Sequence, residues 1–128
     1  MNINDITYKI NGAIFEVNKL LGPGFLEKVY ERALVIELRN RGLITECQVP
    51  IKVYYKGKCV GEYYADLIIE KSVIVEVKTV DALTNAHKAQ ILNYLKATGI
   101  SVGILVNFNK NKADIQRMVL NLPEGHES

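Results

Sequence analysis

Little in the chain would tie it to a metal-thiolate, secreted or membrane-spanning class. It has two cysteines, Cys47 and Cys59, without zinc-ligand spacing, so free thiols packed in or near a sheet are expected rather than a disulfide. No stretch approaches the roughly 18 apolar residues of a membrane span. The opening MNINDITYKINGAIFEV also lacks the basic start and apolar run of a signal peptide, and a cytoplasmic location is the expectation. Charge of one sign is scarce as well. A net charge of +2 and a pI near 8.5 permit contact with a polyanion but fall short of a dedicated nucleic-acid coat. Repeats, low-complexity segments and linkers are absent from the sequence.

What is present fits one compact domain, since 128 residues at 48% hydrophobic supply one core and not two. The domain is expected over residues 1–122, with PEGHES at 123–128 fraying. Ile6, Ile10, Ala13, Ile14, Val17, Leu20 and Leu21 recur at helical spacing and predict a helix over about 4–21, broken by GPG. Leu26, Val29, Tyr30, Ala33, Leu34 and Leu38 predict a second helix that stops at Gly42. Strands are expected over 44–55, with Pro50 marking an edge or bulge, and over 59–69, joined by YKGK. VIVEVK, a helix over 84–98 and the apolar strand VGILVNF follow, with DIQRMVL as a last, weakly alternating strand. The order implies an α/β fold, a mixed sheet flanked by helices.

The segment YYADLIIEKSVIVEVKTV reads as two buried strands, yet it carries Asp66, Glu76 and Lys78. A three-residue turn at Glu70–Ser72 would pair Ile69 with Val73, and the continued register sets Asp66 opposite Glu76 and Tyr64 opposite Lys78. A two-residue turn would put the acids on opposite faces. The longer turn is favoured because it unites Ala65, Leu67 and Ile69 with Val73, Val75 and Val77 on one apolar face. Opposed carboxylates destabilise a sheet unless something cationic lies between them. A hard divalent cation such as Mg²⁺ removes that cost, while a structural ion pair through Lys78 is the plainer alternative.

Asp66, nine intervening residues and then Glu76-Val77-Lys78 resemble the signature of the PD-(D/E)XK nuclease superfamily, with Ala65 where that signature has proline. GFLEKVY resembles the pattern of the GxxExxY protein family through Gly24, Glu27 and Tyr30. His87, Gln90 and Tyr94 share a helical stripe in HKAQILNYL, which is similar to the Gln-x-x-x-Tyr motif of RecB-like nucleases. The resemblance implies a restriction-endonuclease-like core and Mg²⁺ or Mn²⁺ held by Asp66, Glu76, the carbonyl of Val77 and Glu27. It implies Lys78, with Asp66 and Glu76, as catalytic, Lys78 orienting the attacking water or neutralising the phosphate, with Gln90, Tyr94 and His87 as substrate or supporting contacts and nucleic acid as the partner.

Each residue also has a plainer reading. Glu27 suits the helix dipole, Tyr30 suits core packing, and His87 suits a surface position at a helix start. Gln90 and Tyr94 could satisfy buried polar groups. Two other functions stay open: a catalytically silent module binding nucleic acid or protein through Lys52, Lys56, Lys58, Lys110 and Lys112, and a small-nucleotide phosphoesterase. A steep salt dependence would mark a polynucleotide ligand. A homodimer is suggested by the superfamily resemblance alone.

Overall fold

The computed structural model describes residues 1–120, so the segment expected to fray lies outside the described residues. Helix α1 (Ile3–Leu21) buries Ile6, Ile10, Ala13, Ile14 and Val17, and Asn2 caps it by accepting the Asp5 N–H at 2.9 Å. Helix α2 (Glu27–Asn40) buries Tyr30, Leu34, Val35 and Leu38. Strands β1 (Thr45–Tyr55) and β2 (Lys58–Ile69) form a hairpin. Its turn residues Lys56 and Gly57, at φ 49° and 79°, both take the left-handed conformation that suits the twist of two-residue hairpins. After β3 (Val73–Lys78), helix α3 (Asn85–Thr98) crosses over to β4 (Val102–Asn107), and β5 (Asp114–Val119) is the last described strand.

The sheet order follows the chain, β1 to β5; every pairing is antiparallel except β3 with β4, which the α3 crossover makes parallel. One face of the sheet packs Leu67, Val75, Val77, Ile104 and Val106 against α1 and α2. The other packs Ile68 and Ile74 against Ile91, Tyr94 and Leu95 of α3. A central strand covered on both faces must be apolar throughout, and all six residues of β4 are buried. Gly103 on β4 brings α3 close, for a Cβ there would lie 2.8 Å from Ile91 Cδ1.

The turn at Glu70–Ser72 sets the register as read from sequence, with Ile69 opposite Val73, Ile68 opposite Ile74 and Leu67 opposite Val75. There the ladder ends. Tyr64 therefore does not meet Lys78; it pairs with Pro50, and its hydroxyl donates to Glu62 at 2.9 Å. Ala65 likewise joins the α3-facing core with Ile68, not the face of Leu67 and Ile69. Opposite this point Gln48 sits at φ 51°, a conformation uncommon outside glycine, and its pair with Asp66 is missing between Cys47↔Leu67 and Val49↔Ala65. That interruption breaks strict face alternation. Leu20, Leu26 and Val29, read as inward-facing, are exposed at or near helix ends, and both cysteines are free and exposed.

Candidate active site

Where the β2–β3 ladder stops, two side chains complete it. The Asp66 N–H donates to Glu76 Oε2 at 2.7 Å, and the Val77 N–H donates to Asp66 Oδ2 at 2.8 Å. Strand N–H groups at a buried splay need acceptors, and here each carboxylate serves the opposite strand. One oxygen of each carboxylate is thereby fixed. The cost is electrostatic: Glu76 is 3% exposed, and burial first, then the Asp66 charge, pushes its carboxyl up to about 8. Burial also raises the Asp66 carboxyl, aided by the charges of Glu31 and Glu27 and opposed by the Val77 N–H and Lys78.

Lys78 ends β3 beside this pair, and its Nζ donates to Gln90 Oε1 of α3 at 3.2 Å. Its backbone is locked from β4. The Phe108 N–H donates to the Lys78 carbonyl at 2.9 Å, and buried Asn107 accepts the Val80 N–H at 3.1 Å while donating to the Val80 carbonyl at 2.7 Å. One turn beyond Gln90, burial raises the Tyr94 hydroxyl pKa, helped by the charges of Glu76 and Asp66. His87 is engaged elsewhere. Its Nδ1 accepts the Thr84 N–H at 3.0 Å and its own N–H donates to Thr84 Oγ1 at 3.3 Å, so it closes the α3 capping box.

Glu27 opens α2, and its charge acts on both Asp66 and Glu76. The loop before it holds that helix start in place. Gly24 adopts φ 109°, and buried Tyr30 donates its hydroxyl to the Gly22 carbonyl and accepts the Phe25 N–H at 3.2 Å. The Tyr30 ring stacks on Phe108 at 4.7 Å. Tyr30→Phe keeps the stack and removes both hydrogen bonds, and an expected loss of ~1–2 kcal/mol in urea unfolding measures them. An unchanged midpoint would show that the pin contributes nothing.

Sequence reasoning missed two residues here. Glu31, one turn after Glu27, is 5% exposed; its Oε1 accepts Gln48 Nε2 at 2.7 Å and its Oε2 pairs with Lys28 at 3.1 Å. Gln48 Nε2 also lies 3.4 Å from Asp66 Oδ1, linking α2 to the carboxylate pair. Two acids at i and i+4 repel on an isolated helix, and that spacing was the available signal.

Among the described residues, no group of three or more His, Cys, Asp or Glu side chains is close enough to hold a metal unaided. A cation at Asp66 and Glu76 would therefore need further oxygens to complete its coordination. Hard cations are commonly bound by one or two carboxylates together with water and substrate oxygens, so the mutual repulsion of Asp66 and Glu76 fits such an ion. No helix among the described residues is long and apolar enough to cross a membrane.

A model of the PD-(D/E)XK nuclease superfamily matches residues 4–118. Among solved structures the chain is similar to one titled "Crystal structure of SSO0001", with 25% sequence identity and a TM-score of 0.57. That likeness covers 76% of this chain and 51% of the other, so the chain spans about half the length of that protein. No match was found among curated proteins.

Proposed function

The chain belongs to the PD-(D/E)XK nuclease superfamily, and from that premise we propose that it is a metal-dependent nuclease hydrolysing phosphodiester bonds in DNA or RNA. One observation carries the reading: Asp66 and Glu76 meet where β2 and β3 part, at a point where burial and repulsion raise both carboxyls. A structural ion network gives no reason to oppose two acids there. Within the superfamily we assign the chain to the GxxExxY group, on Gly24, Glu27 and Tyr30, with a RecB-like helix motif in Gln90 and Tyr94.

In this reading Asp66, Glu76, the Val77 carbonyl and Glu27 hold Mg²⁺ or Mn²⁺. The bound ion supplies a nucleophile at neutral pH by acidifying water, and it offsets charge on the phosphate. Lys78 holds its ammonium towards the attacking side, where it orients water or balances charge in the transition state. Gln90 keeps Lys78 in position through its carbonyl oxygen. Tyr94 offers a hydroxyl to the phosphate, and Glu31 restrains Gln48 beside Asp66. His87 acts through the start of α3.

The test is cleavage of single-stranded, double-stranded and branched DNA and of RNA with Mg²⁺, Mn²⁺ or chelator. Metal-dependent product from wild type, abolished in Asp66→Asn, is expected. Cleavage that persists undiminished in Asp66→Asn, or in chelator, would defeat the proposal.

A further inference from the structure

The β1–β2 hairpin outruns the sheet it belongs to. β2 pairs with β3 only over Leu67–Ile69, so from Lys58 to Asp66 its inner edge borders no strand among the described residues. At the strand rise of ~3.3 Å per residue, this free arm projects about 25 Å from the carboxylate pair. Tyr63 lies at its base. Tyr63 is paired with Ile51, and both face α3, because Ile51 packs in the core beneath that helix. Half of the Tyr63 surface is exposed (50%), and its ring sits 5.8 Å from that of Tyr94 at an interplanar angle of 46°.

We infer that Tyr63 is a base-stacking platform and that the substrate of the proposed nuclease is a single-stranded polynucleotide, lying along the free edge of β2 into the carboxylate pair. The inference deepens the nuclease reading and rests on it for the identity of the reaction. Two observations on the arm agree. An exposed aromatic face beside a phosphate-cleaving centre has no packing role on its open side, whereas every unpaired base offers a π-face to it. Lys52 pairs with Glu62 across the arm, but its tip carries Lys56 and Lys58 with no acid from Val53 to Gly61, which complements a backbone of phosphates. Tyr64 is not a second platform, because it lies on the opposite face with its hydroxyl bound to Glu62. In a duplex the bases are stacked on one another and closed to Tyr63, so the platform selects against paired strands.

Fluorescence anisotropy in chelator, with labelled oligo-dT and oligo-U of about 12 nucleotides and a duplex of equal length, tests this without turnover. Both single strands are expected to bind at least about tenfold more tightly than the duplex, and Tyr63→Ala to lose about tenfold on single strands alone. Tyr63→Phe keeps the ring and should bind as wild type does. Replacing Lys56 and Lys58 together by alanine should flatten the salt slope by about one unit. Equal affinity for duplex and single strand, or Tyr63→Ala within about twofold of wild type, overturns the inference. The outcomes separate from the nuclease reading: single-strand binding through Tyr63 without cleavage keeps the platform and sinks the nuclease, and cleavage indifferent to Tyr63 does the reverse.

Discussion

Lys78→Ala is expected to slow cleavage of a phosphodiester substrate by at least about a hundredfold while shifting its Kd by less than about threefold. The asymmetry follows from position. Lys78 sits beside two acids that lie in its field, and its Nζ is held by Gln90 at 3.2 Å. A cation so placed acts on charge that develops during the reaction, and only interactions stronger in the transition state than in the ground state raise turnover. A phosphate anchor would show the opposite pattern, with affinity falling first. Lys78→Arg sharpens the test, since a planar fork keeps the charge but cannot reproduce a compact ammonium under Gln90. It should bind as wild type does and cleave little better than Lys78→Ala. Single-turnover kinetics beside binding isotherms decide it, and parallel losses in both would move Lys78 from the chemistry to the grip.

The metal-free protein should lose stability as pH rises, and Glu76→Gln should abolish most of that loss. The folded Glu76 carboxyl titrates near 8, against an ordinary value of 4.5. Below 4.5 both folded and unfolded chains hold the proton and nothing is lost. Between the two values the folded chain keeps a proton that the unfolded chain releases, so rising pH favours unfolding, by up to ~1.4 kcal/mol per unit. The sum across that window is on the order of a few kcal/mol, and Asp66, raised in the same direction, adds to it. Glutamine keeps an oxygen for the Asp66 N–H and carries no charge, so the variant should match wild type at pH ~5 and exceed it at pH ~9. Added Mg²⁺ should rescue wild type at high pH and leave Glu76→Gln unmoved, because a ligand stabilises only the state it binds. Urea unfolding at both pH values, with and without Mg²⁺, settles the matter; equal pH slopes in the two proteins would locate the titration elsewhere.

Much of this architecture is legible in local patterns. Helical spacing of Ile6, Ile10, Ile14 and Val17 gives α1, and the length of EKS fixes the register of β2 on β3, because one residue more or less would turn an apolar face to water. The mixed sheet flanked by helices follows from the order of elements. The side taken by Ala65 was not legible. Alternation assumes an unbroken ladder, and Gln48, in a left-handed conformation that its sequence context does not announce, interrupts it opposite Asp66. Glu31 escaped for a related reason, since its partner Gln48 is distant in sequence and only the folded contact explains a buried acid on an otherwise ordinary helix face. The substitution of carboxylate oxygens for ladder carbonyls was equally hidden, because residue types state which groups are present and not which N–H they meet.

The outer edge of β1 also bears on how copies of this chain behave in a crowded solution. An open strand edge templates further strands, and long flat edges seed ordered aggregates. β1 defeats that growth twice within its length: Gln48 turns out of the extended conformation, and Pro50 offers no N–H. An incoming strand would find no continuous row of donors to copy. The strand at the opposite margin, β5, is only six residues long, too short to serve as an extended template. The same kink that leaves Gln48 beside Asp66 therefore keeps the outer edge of β1 from serving as a template for further strands.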